Sequence, residues 1–188
     1  REIFSTTESI TSKEENPINK KSNVKKRGFI GLELGANIPL GKFADVNDGQ
    51  AKTGYHINLI NFGYLFSDNI GIAATCFGAV NPTVYGNDDY WWSHGGLLVG
   101  PLFSFPVSEK IVWDIKPMVG KSWASITGTN LELTSPIAFS VETGYRFNVS
   151  RLIALTLGVV YSTAKYKGSF EQSIGTSAIK GGFAFRLK

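Results

Sequence analysis

Apolar residues alternate with small or polar ones along almost the whole chain from Gly28 onward. A period of two is the signature of β-strands. In the first run, over residues 29–40, Ile30 and Leu34 fall on one face while Glu33 and Asn37 fall on the other. Similar runs follow within residues 55–66, 70–80, 95–105, 111–122, 136–147, 152–162 and 176–187. The pattern predicts an all-β fold of eight antiparallel strands.

The second run changes phase near Ile60. Tyr55 and Ile57 lie on its apolar face before that point, and Phe62 and Tyr64 continue the same face after it. One extra residue in a strand produces such a slip, so the sequence predicts a β-bulge there.

The two faces differ in size, and this decides which one lines the interior. One face carries Phe, Trp, Tyr, Leu and Ile, whereas Gly, Ala, Ser and Thr dominate the other. The interior of an eight-stranded barrel is just wide enough for side chains, so the large residues would overfill it. They are therefore expected to face lipid, which argues against a soluble lipocalin-like barrel or sandwich.

A membrane location also agrees with the composition. Charged residues make up 18% of the chain, against roughly 25% in ordinary soluble domains. The longest apolar run, Leu152 to Tyr161, is about half the roughly 20 residues of a transmembrane helix. Because only helices and closed barrels satisfy every backbone group in lipid, the sequence predicts a transmembrane up-and-down β-barrel.

The predicted connections alternate in length. Short polar turns lie near residues 67–69, 106–110 and 148–151, and longer loops at 41–53, 81–94, 124–135 and 163–173. Outer-membrane barrels have short periplasmic turns and longer external loops, so both termini are expected to be periplasmic. Residues 1–27 are polar and aperiodic, which predicts a periplasmic tail before a barrel over residues 28–188. No signal peptide is visible, and we expect the mature form.

Aromatic residues concentrate beside the short turns and near the C-terminus. They are Phe62, Tyr64, Phe66, Phe103, Phe105, Tyr145, Phe147, Phe183 and Phe185. Such a cluster predicts an interfacial girdle. Tyr55, Tyr161 and Trp123 are placed near the opposite rim.

These features resemble the small outer-membrane β-barrel family that includes the OmpA transmembrane domain and OmpX. The resemblance covers residues 28–188 and rests on the eight-strand rhythm, the Gly31–Gly35 alternation, turns such as 66–69 and the alternating terminal strand 183–188. That strand ends on Lys188, whereas the family's assembly signal usually ends on an aromatic residue.

Charged residues also occupy predicted inward positions. They are Glu33, Asp114, Lys116, Glu142, Arg146, Lys180 and Arg186. An unpaired charge in a closed lumen is very costly, so we expect an internal salt-bridge network that fills the barrel. Strand adjacency suggests the pairs Lys180–Glu33 and Lys116–Glu142. A filled lumen argues against a general pore; a proton or ion path, or a gate, remains the alternative.

Chemistry-bearing residues are few. Besides Cys76, the only candidates for a Cys/His metal site are His56 and His94, so no cofactor or metal site is expected. His94 lies beside Ser93 in sequence, and Asp88 and Asp89 lie close by. A histidine can activate a serine nucleophile, which leaves a lipid-modifying enzyme as a third function class, but no catalytic set is recognisable.

Two segments are candidate contacts with a partner or with lipid headgroups. One is the aromatic group Tyr85, Tyr90, Trp91 and Trp92; the other is the basic group Lys20, Lys21, Lys25, Lys26 and Arg27. Trp and Tyr suit both settings, and basic clusters suit anionic lipid. We therefore expect a non-enzymatic structural or accessory barrel that contacts other envelope proteins, outer-membrane lipid and lipopolysaccharide, but not nucleic acid. The alternative is a surface adhesion or ligand-binding barrel acting through its external loops.

Overall fold

The structure is a computed structural model that describes residues 27–85, 88–127, 132–167 and 171–187. These form a closed barrel in which each strand pairs with the next and the eighth pairs with the first. The strands are β1 (Gly28–Leu40), β2 (Gly54–Leu65), β3 (Ile70–Tyr85), β4 (Asp88–Pro106), β5 (Ile111–Ile126), β6 (Glu132–Asn148), β7 (Ile153–Tyr166) and β8 (Gln172–Leu187). The predicted eight-stranded meander is confirmed. Apart from Arg27, the predicted tail lies outside the described residues.

A single 3₁₀ turn, Gly41–Phe43, follows β1. Among the described residues, no helix has the length and apolar character needed to cross a membrane.

Large apolar side chains cover the outside of the barrel. Every strand contributes to this surface, with Leu34, Tyr55, Ile70, Leu97, Val119, Phe139, Leu155 and Phe185 among the exposed residues. Inward positions carry buried small or polar residues such as Ala73 and Ser104, together with larger apolar ones such as Phe29, Leu98 and Leu102. Contiguous apolar surface of this extent marks a membrane contact rather than a water-exposed wall. The faces are therefore arranged as the sequence predicts.

The predicted bulge in β2 is confirmed. The β2–β3 register shifts between Asn58 and Ile60. Leu59 and Ile60 are consecutive in sequence, yet both are exposed, at 54% and 42%. The extra residue lets the apolar face continue through Phe62 to the end of the strand.

Three of the four predicted long loops are wrong in extent. β3 and β4 pair as far as Tyr85 opposite Asp88, so the predicted loop over residues 81–94 is a hairpin. Strands β5 to β8 likewise extend into the predicted loops at 124–135 and 163–173. Beyond the membrane, strands can stay hydrogen-bonded without an apolar outer face. The alternation of apolar and polar residues therefore ends before the strands do. Only the β1–β2 connection remains a long loop.

Aromatic side chains surround the end of the barrel that carries the three short turns and residues 28 and 187, which we call the turn end. Ring centroids lie 5.9 Å apart for Tyr64–Phe66 and 5.6 Å apart for Phe105–Trp113. Tyr145–Phe147 and Phe183–Phe185 form similar pairs at 6.3 and 5.8 Å. This is the predicted girdle. The opposite end is called the loop end.

Glycine at position 63 makes room for a large residue in the narrow interior. A Cβ there would lie 2.5 Å from the buried Phe29 ring and 2.9 Å from Leu102. We predict that Gly63→Leu lowers the free energy of unfolding by about 1–3 kcal/mol through overpacking. Heat-modifiable migration of refolded protein on gels measures the folded fraction.

The matched control is Gly181→Leu. Gly181 lies next to Lys180 on the outward face, and a Cβ there would meet only ordinary contacts, with Thr156 O at 3.4 Å and Leu157 at 3.9 Å. It should fold like the wild type. Equal folding of both variants would contradict tight packing around Phe29.

Candidate functional site: the filled lumen

Four charged side chains meet at mid-height in the lumen. Lys180 on β8 lies between two carboxylates, with its Nζ 2.6 Å from Glu33 Oε2 and 2.7 Å from Glu142 Oε2. Lys116 Nζ lies 2.6 Å from the other oxygen of Glu142. All four side chains are buried. Both pairs derived from strand adjacency, Lys180–Glu33 and Lys116–Glu142, are thus formed within one charge-balanced cluster.

The backbone around Lys180 leaves space for its long side chain. Gly35 on β1 and Gly158 on β7 are its register partners on either side. Because neither neighbour has a side chain, the lysine stem can extend across the lumen to β1 and β6. The small inward residues therefore accommodate the charges as well as keeping the barrel narrow.

Neutral side chains complete the hydrogen bonding of the cluster. Asn58 Nδ2 donates to Glu33 Oε2 at 3.1 Å, and Thr75 donates to Asn58 at 2.6 Å. Lys116 also donates to Asn61 Oδ1 at 2.7 Å. Buried ion pairs are tolerated when such bonds satisfy their remaining polar atoms. Sequence reasoning missed these residues, although asparagine at inward positions of β2 was a visible signal.

A second ion pair lies closer to the turn end. Arg146 Nε and Nη2 each lie 3.1 Å from an oxygen of Asp114, a bidentate arrangement. Ser104 donates a further hydrogen bond to Asp114. The guanidinium also lies over the Phe29 ring, 4.1 Å from its centroid, which is cation–π geometry. A small cavity of about 10 Å³ borders both ion-pair layers, which is room for about one water.

The prediction that Arg186 joins the internal network is wrong. Its guanidinium donates to the carbonyl of Ser150 in the β6–β7 turn, at 3.1 Å. Arg186 is one residue from the end of β8, so its long side chain can leave the lumen and reach the rim.

A polar and aromatic layer lies above the cluster, toward the loop end. Asn37 donates to Asn81 at 2.7 Å, and His94 Nε2 lies 3.3 Å from both side chains. His56 stacks on Phe77 with a centroid distance of 5.6 Å. His56 and His94 are buried. His94 is therefore an interior residue rather than one exposed at the rim.

The β1–β2 loop closes the loop end of the barrel. Phe43, in its 3₁₀ turn, is fully buried and packs edge-on against Trp92 at 5.7 Å and His94 at 5.8 Å. Nearby, Thr83 donates to the Gln50 carbonyl at 3.1 Å, and the Lys52 amide donates to Pro82 at 2.8 Å. The loop is a lid fastened to β3. Sequence reasoning missed it, although Phe43 is a lone aromatic in a polar segment.

Trp92 is buried inside the barrel, so the prediction that it contacts a partner or lipid headgroups is wrong. Its side chain is 4% exposed and its Nε1 donates to the Gly49 carbonyl in the lid at 3.0 Å. The alternation of β4 places it inward, whereas its neighbour Trp91 is 39% exposed on the outer face. The two tryptophans therefore have different roles.

The remaining candidate contacts are only partly described. Tyr90 is half-buried. Tyr85 belongs to β3, but its side chain lies outside the described part of the structure, and Lys20, Lys21, Lys25 and Lys26 lie outside it entirely. Arg27 is exposed at the turn end, with Nη1 3.4 Å from the Phe66 carbonyl.

The geometry does not support a serine–histidine pair. Ser93 and His94 are consecutive in β4, so their side chains point to opposite faces of the wall. His94 is buried in the lumen and bonded to two asparagines. The side chains of Asp88 and Asp89 lie outside the described part of the structure. Within the described ranges, no group of three or more His, Cys, Asp or Glu residues could hold a metal ion.

Comparisons with known proteins identify the fold. No protein-family model matches the chain, and no curated protein matches it. Among solved structures, Neisserial surface protein A gives a TM-score of 0.63 at 14% identity, covering 85% of this chain and 97% of that one. The attachment invasion locus protein Ail of Yersinia pestis, in complex with the heparin analogue sucrose octasulfate, gives 0.52 at 16% identity, covering 85% and 99%.

The fold, the apolar exterior and the charged interior define the class. The protein has the fold of the small eight-stranded outer-membrane β-barrels, with an apolar exterior suited to lipid. Its resemblance to the OmpA and OmpX barrels is confirmed at the level of the fold.

We predict that Lys180→Met lowers the free energy of unfolding by about 3–5 kcal/mol, because it leaves Glu33 and Glu142 buried without their shared cation. The double variant Glu33→Gln with Lys180→Met should recover part of this loss, since Glu142 keeps Lys116. Urea-dependent unfolding in lipid vesicles, followed by tryptophan fluorescence, measures both. A loss below about 1 kcal/mol in the single variant, the range of surface ion pairs, would show that the cluster is solvated.

Proposed function

We propose that this barrel is a non-enzymatic structural or accessory subunit that contacts other envelope proteins. The proposal rests on the lumen, which is filled by side chains and covered by the β1–β2 loop. Two layers of paired charges, a histidine–asparagine layer and the Phe43 lid follow one another from the turn end to the loop end. A barrel filled in this way offers its surfaces rather than an interior passage. The described residues also offer no catalytic set.

The proposed orientation places the turn end and both termini in the periplasm. Bacterial barrels join strands by short turns on that side and by longer loops outside, and here the loop end carries the long β1–β2 loop and the protruding β3–β4 hairpin. Arg27 contacts the Phe66 carbonyl at the turn end, so the basic segment joins the barrel there. Lys20, Lys21, Lys25 and Lys26 would then face periplasmic partners or the inner leaflet.

Surface adhesion or ligand binding is the second candidate. It is favoured by the β3–β4 hairpin, which extends beyond the neighbouring strands at the loop end. The β3–β4 pairing reaches Tyr85 and Asp88, whereas β2–β3 pairing stops at Val80 and β4–β5 pairing at Trp92. Trp91 is exposed on this hairpin. The structure of Ail has been solved with the heparin analogue sucrose octasulfate. Because the two chains are only 16% identical, we use this compound as a test ligand and infer no binding from the likeness.

For the proposed subunit, we predict no large stable conductance in planar bilayers. Phe43→Ala should also show no large conductance, because loss of the Phe43 side chain leaves the ion cluster beneath it in place. Single-channel recording of both proteins checks this. Large stable openings of the wild type would contradict the sealed lumen and revive a pore function.

We further predict that mild-detergent extraction of the tagged protein recovers stoichiometric envelope proteins, identified by mass spectrometry, and that deleting residues 1–26 removes them. The deletion keeps Arg27 and the whole barrel, and its fold is checked by heat-modifiable migration.

Trp91→Ala is the matched variant for the second candidate. An accessory subunit should keep its partners in Trp91→Ala, whereas a surface ligand-binding barrel should lose ligand there and be unaffected by the deletion. A barrel that is reproducibly free of partners would overturn the accessory proposal.

A further inference from the structure

A deep groove runs along the outer wall across strands β2 to β5. It has a volume of about 510 Å³, within the roughly 300–1,000 Å³ of typical ligand pockets. Its floor is made where outward positions carry small residues, with Cys76 and Gly78 on β3 and Gly95 on β4. Tyr55 forms one wall and Trp123 the other, and both are exposed. The groove is therefore a recess in the apolar outer surface.

The groove changes character along its length. Toward mid-barrel it is bordered by apolar residues such as Ile57 and Leu59. Toward the loop end it is lined by Ser93 and Ser125, which are register partners on β4 and β5. An occupant that matches both parts has a long apolar portion and a polar end facing the membrane surface. A lipid has this shape, and lipid is what surrounds this wall.

Two exposed lysines flank the groove. Lys121 precedes Trp123 on the outward face of β5, opposite Leu97 and two residues closer to mid-barrel. A lysine on a lipid-facing wall lays its stem along apolar surface and extends its ammonium toward the interface. Among the described residues, no carboxylate forms an ion pair with it. Lys52 is exposed beyond Tyr55, and its amide is bonded to Pro82 at the loop end. Lys52 at the loop end and the Lys121 ammonium, extended toward it along the wall, call for an anionic headgroup.

We propose that the groove binds one acyl chain of a phosphorylated glycolipid of the outer leaflet, whose phosphate groups pair with Lys121 and Lys52. The choice of outer-leaflet glycolipid rests on the proposed orientation, in which the loop end is extracellular. The concave floor suits a flexible chain, and the charge of the flanking lysines suits phosphate. A second copy of the barrel would instead need a protruding surface to fill the recess.

The single cysteine of the chain provides a direct probe of the groove. Cys76 lies on its floor, so its reaction with an uncharged maleimide reports whether the floor is covered. The full-length protein is purified in neutral detergent and titrated with bis-phosphorylated lipid A. The expected result is saturable slowing of the reaction. Phosphatidylcholine, which carries no net charge, and phosphatidylglycerol, with one phosphate, should protect only at higher concentrations.

Two pairs of variants separate the groove from general lipid affinity. Gly78→Leu places a side chain in the groove, where a Cβ meets only Ile57 at 3.6 Å, and Gly181→Leu is the outward control away from it. Native mass spectrometry should show loss of retained lipid A in the first and not in the second. Lys121→Gln should weaken protection of Cys76 about fivefold, the effect of one lysine near an anionic surface. Lys165→Gln, another exposed strand lysine, should leave it unchanged.

Several results would overturn the proposal. Lipid A that leaves Cys76 fully reactive, or that is retained equally by Gly78→Leu, would show that the groove is empty. Equal protection by phosphatidylglycerol would overturn the glycolipid assignment. A barrel dimer disrupted by Gly78→Leu would make the groove a protein interface. These measurements use the purified barrel alone. Failure of lipid binding would therefore leave the accessory role intact, and absence of protein partners would leave the lipid-binding proposal intact.

Discussion

The structure depends on one constraint, which is that every backbone polar group in lipid must be paired within the protein. A sheet meets it only by closing, and closure of eight strands leaves an interior too narrow for large side chains. Many inward positions are therefore small, and this leaves room for the large side chains that point inward. Phe29 sits against Gly63, and Lys180 extends between Gly35 and Gly158. The interior therefore combines paired charges with apolar side chains such as Phe29, Leu98 and Leu102.

This arrangement explains why the lumen holds paired charges rather than a water column. Glu33, Lys116, Glu142 and Lys180 neutralise each other, and Asp114 with Arg146 forms a second neutral unit. Toward the loop end, the Phe43 lid adds an apolar cover that is bonded to β3 and β4 through Thr83 and Trp92. We therefore propose that function resides on the outer surface, namely the two ends and the lipid-facing wall.

Sequence alternation determined the strand number, the face of nearly every residue and the bulge near Ile60, because these depend on a period of two that lipid enforces. It also placed the two central ion pairs, since strand adjacency in a meander is fixed by order. It could not place the lid, because Phe43 packs through a loop whose path is set by tertiary contacts. It overextended the loops, because strands beyond the membrane lose their apolar face. It misplaced Arg186, whose side chain at a strand end can reach more than one partner.

The contact between Lys180 and Glu33 joins the last strand to the first. A slip of one residue in that final pairing would turn Lys180 outward, where a lysine at the bilayer midplane costs about 2–4 kcal/mol. A slip of two would keep it inside but move it about two residues, roughly 6–7 Å, along the wall from its carboxylates. Only the observed register neutralises all four central charges. The cluster therefore favours the correct register during assembly. A barrel closed in another register would carry unpaired charges and would be less stable.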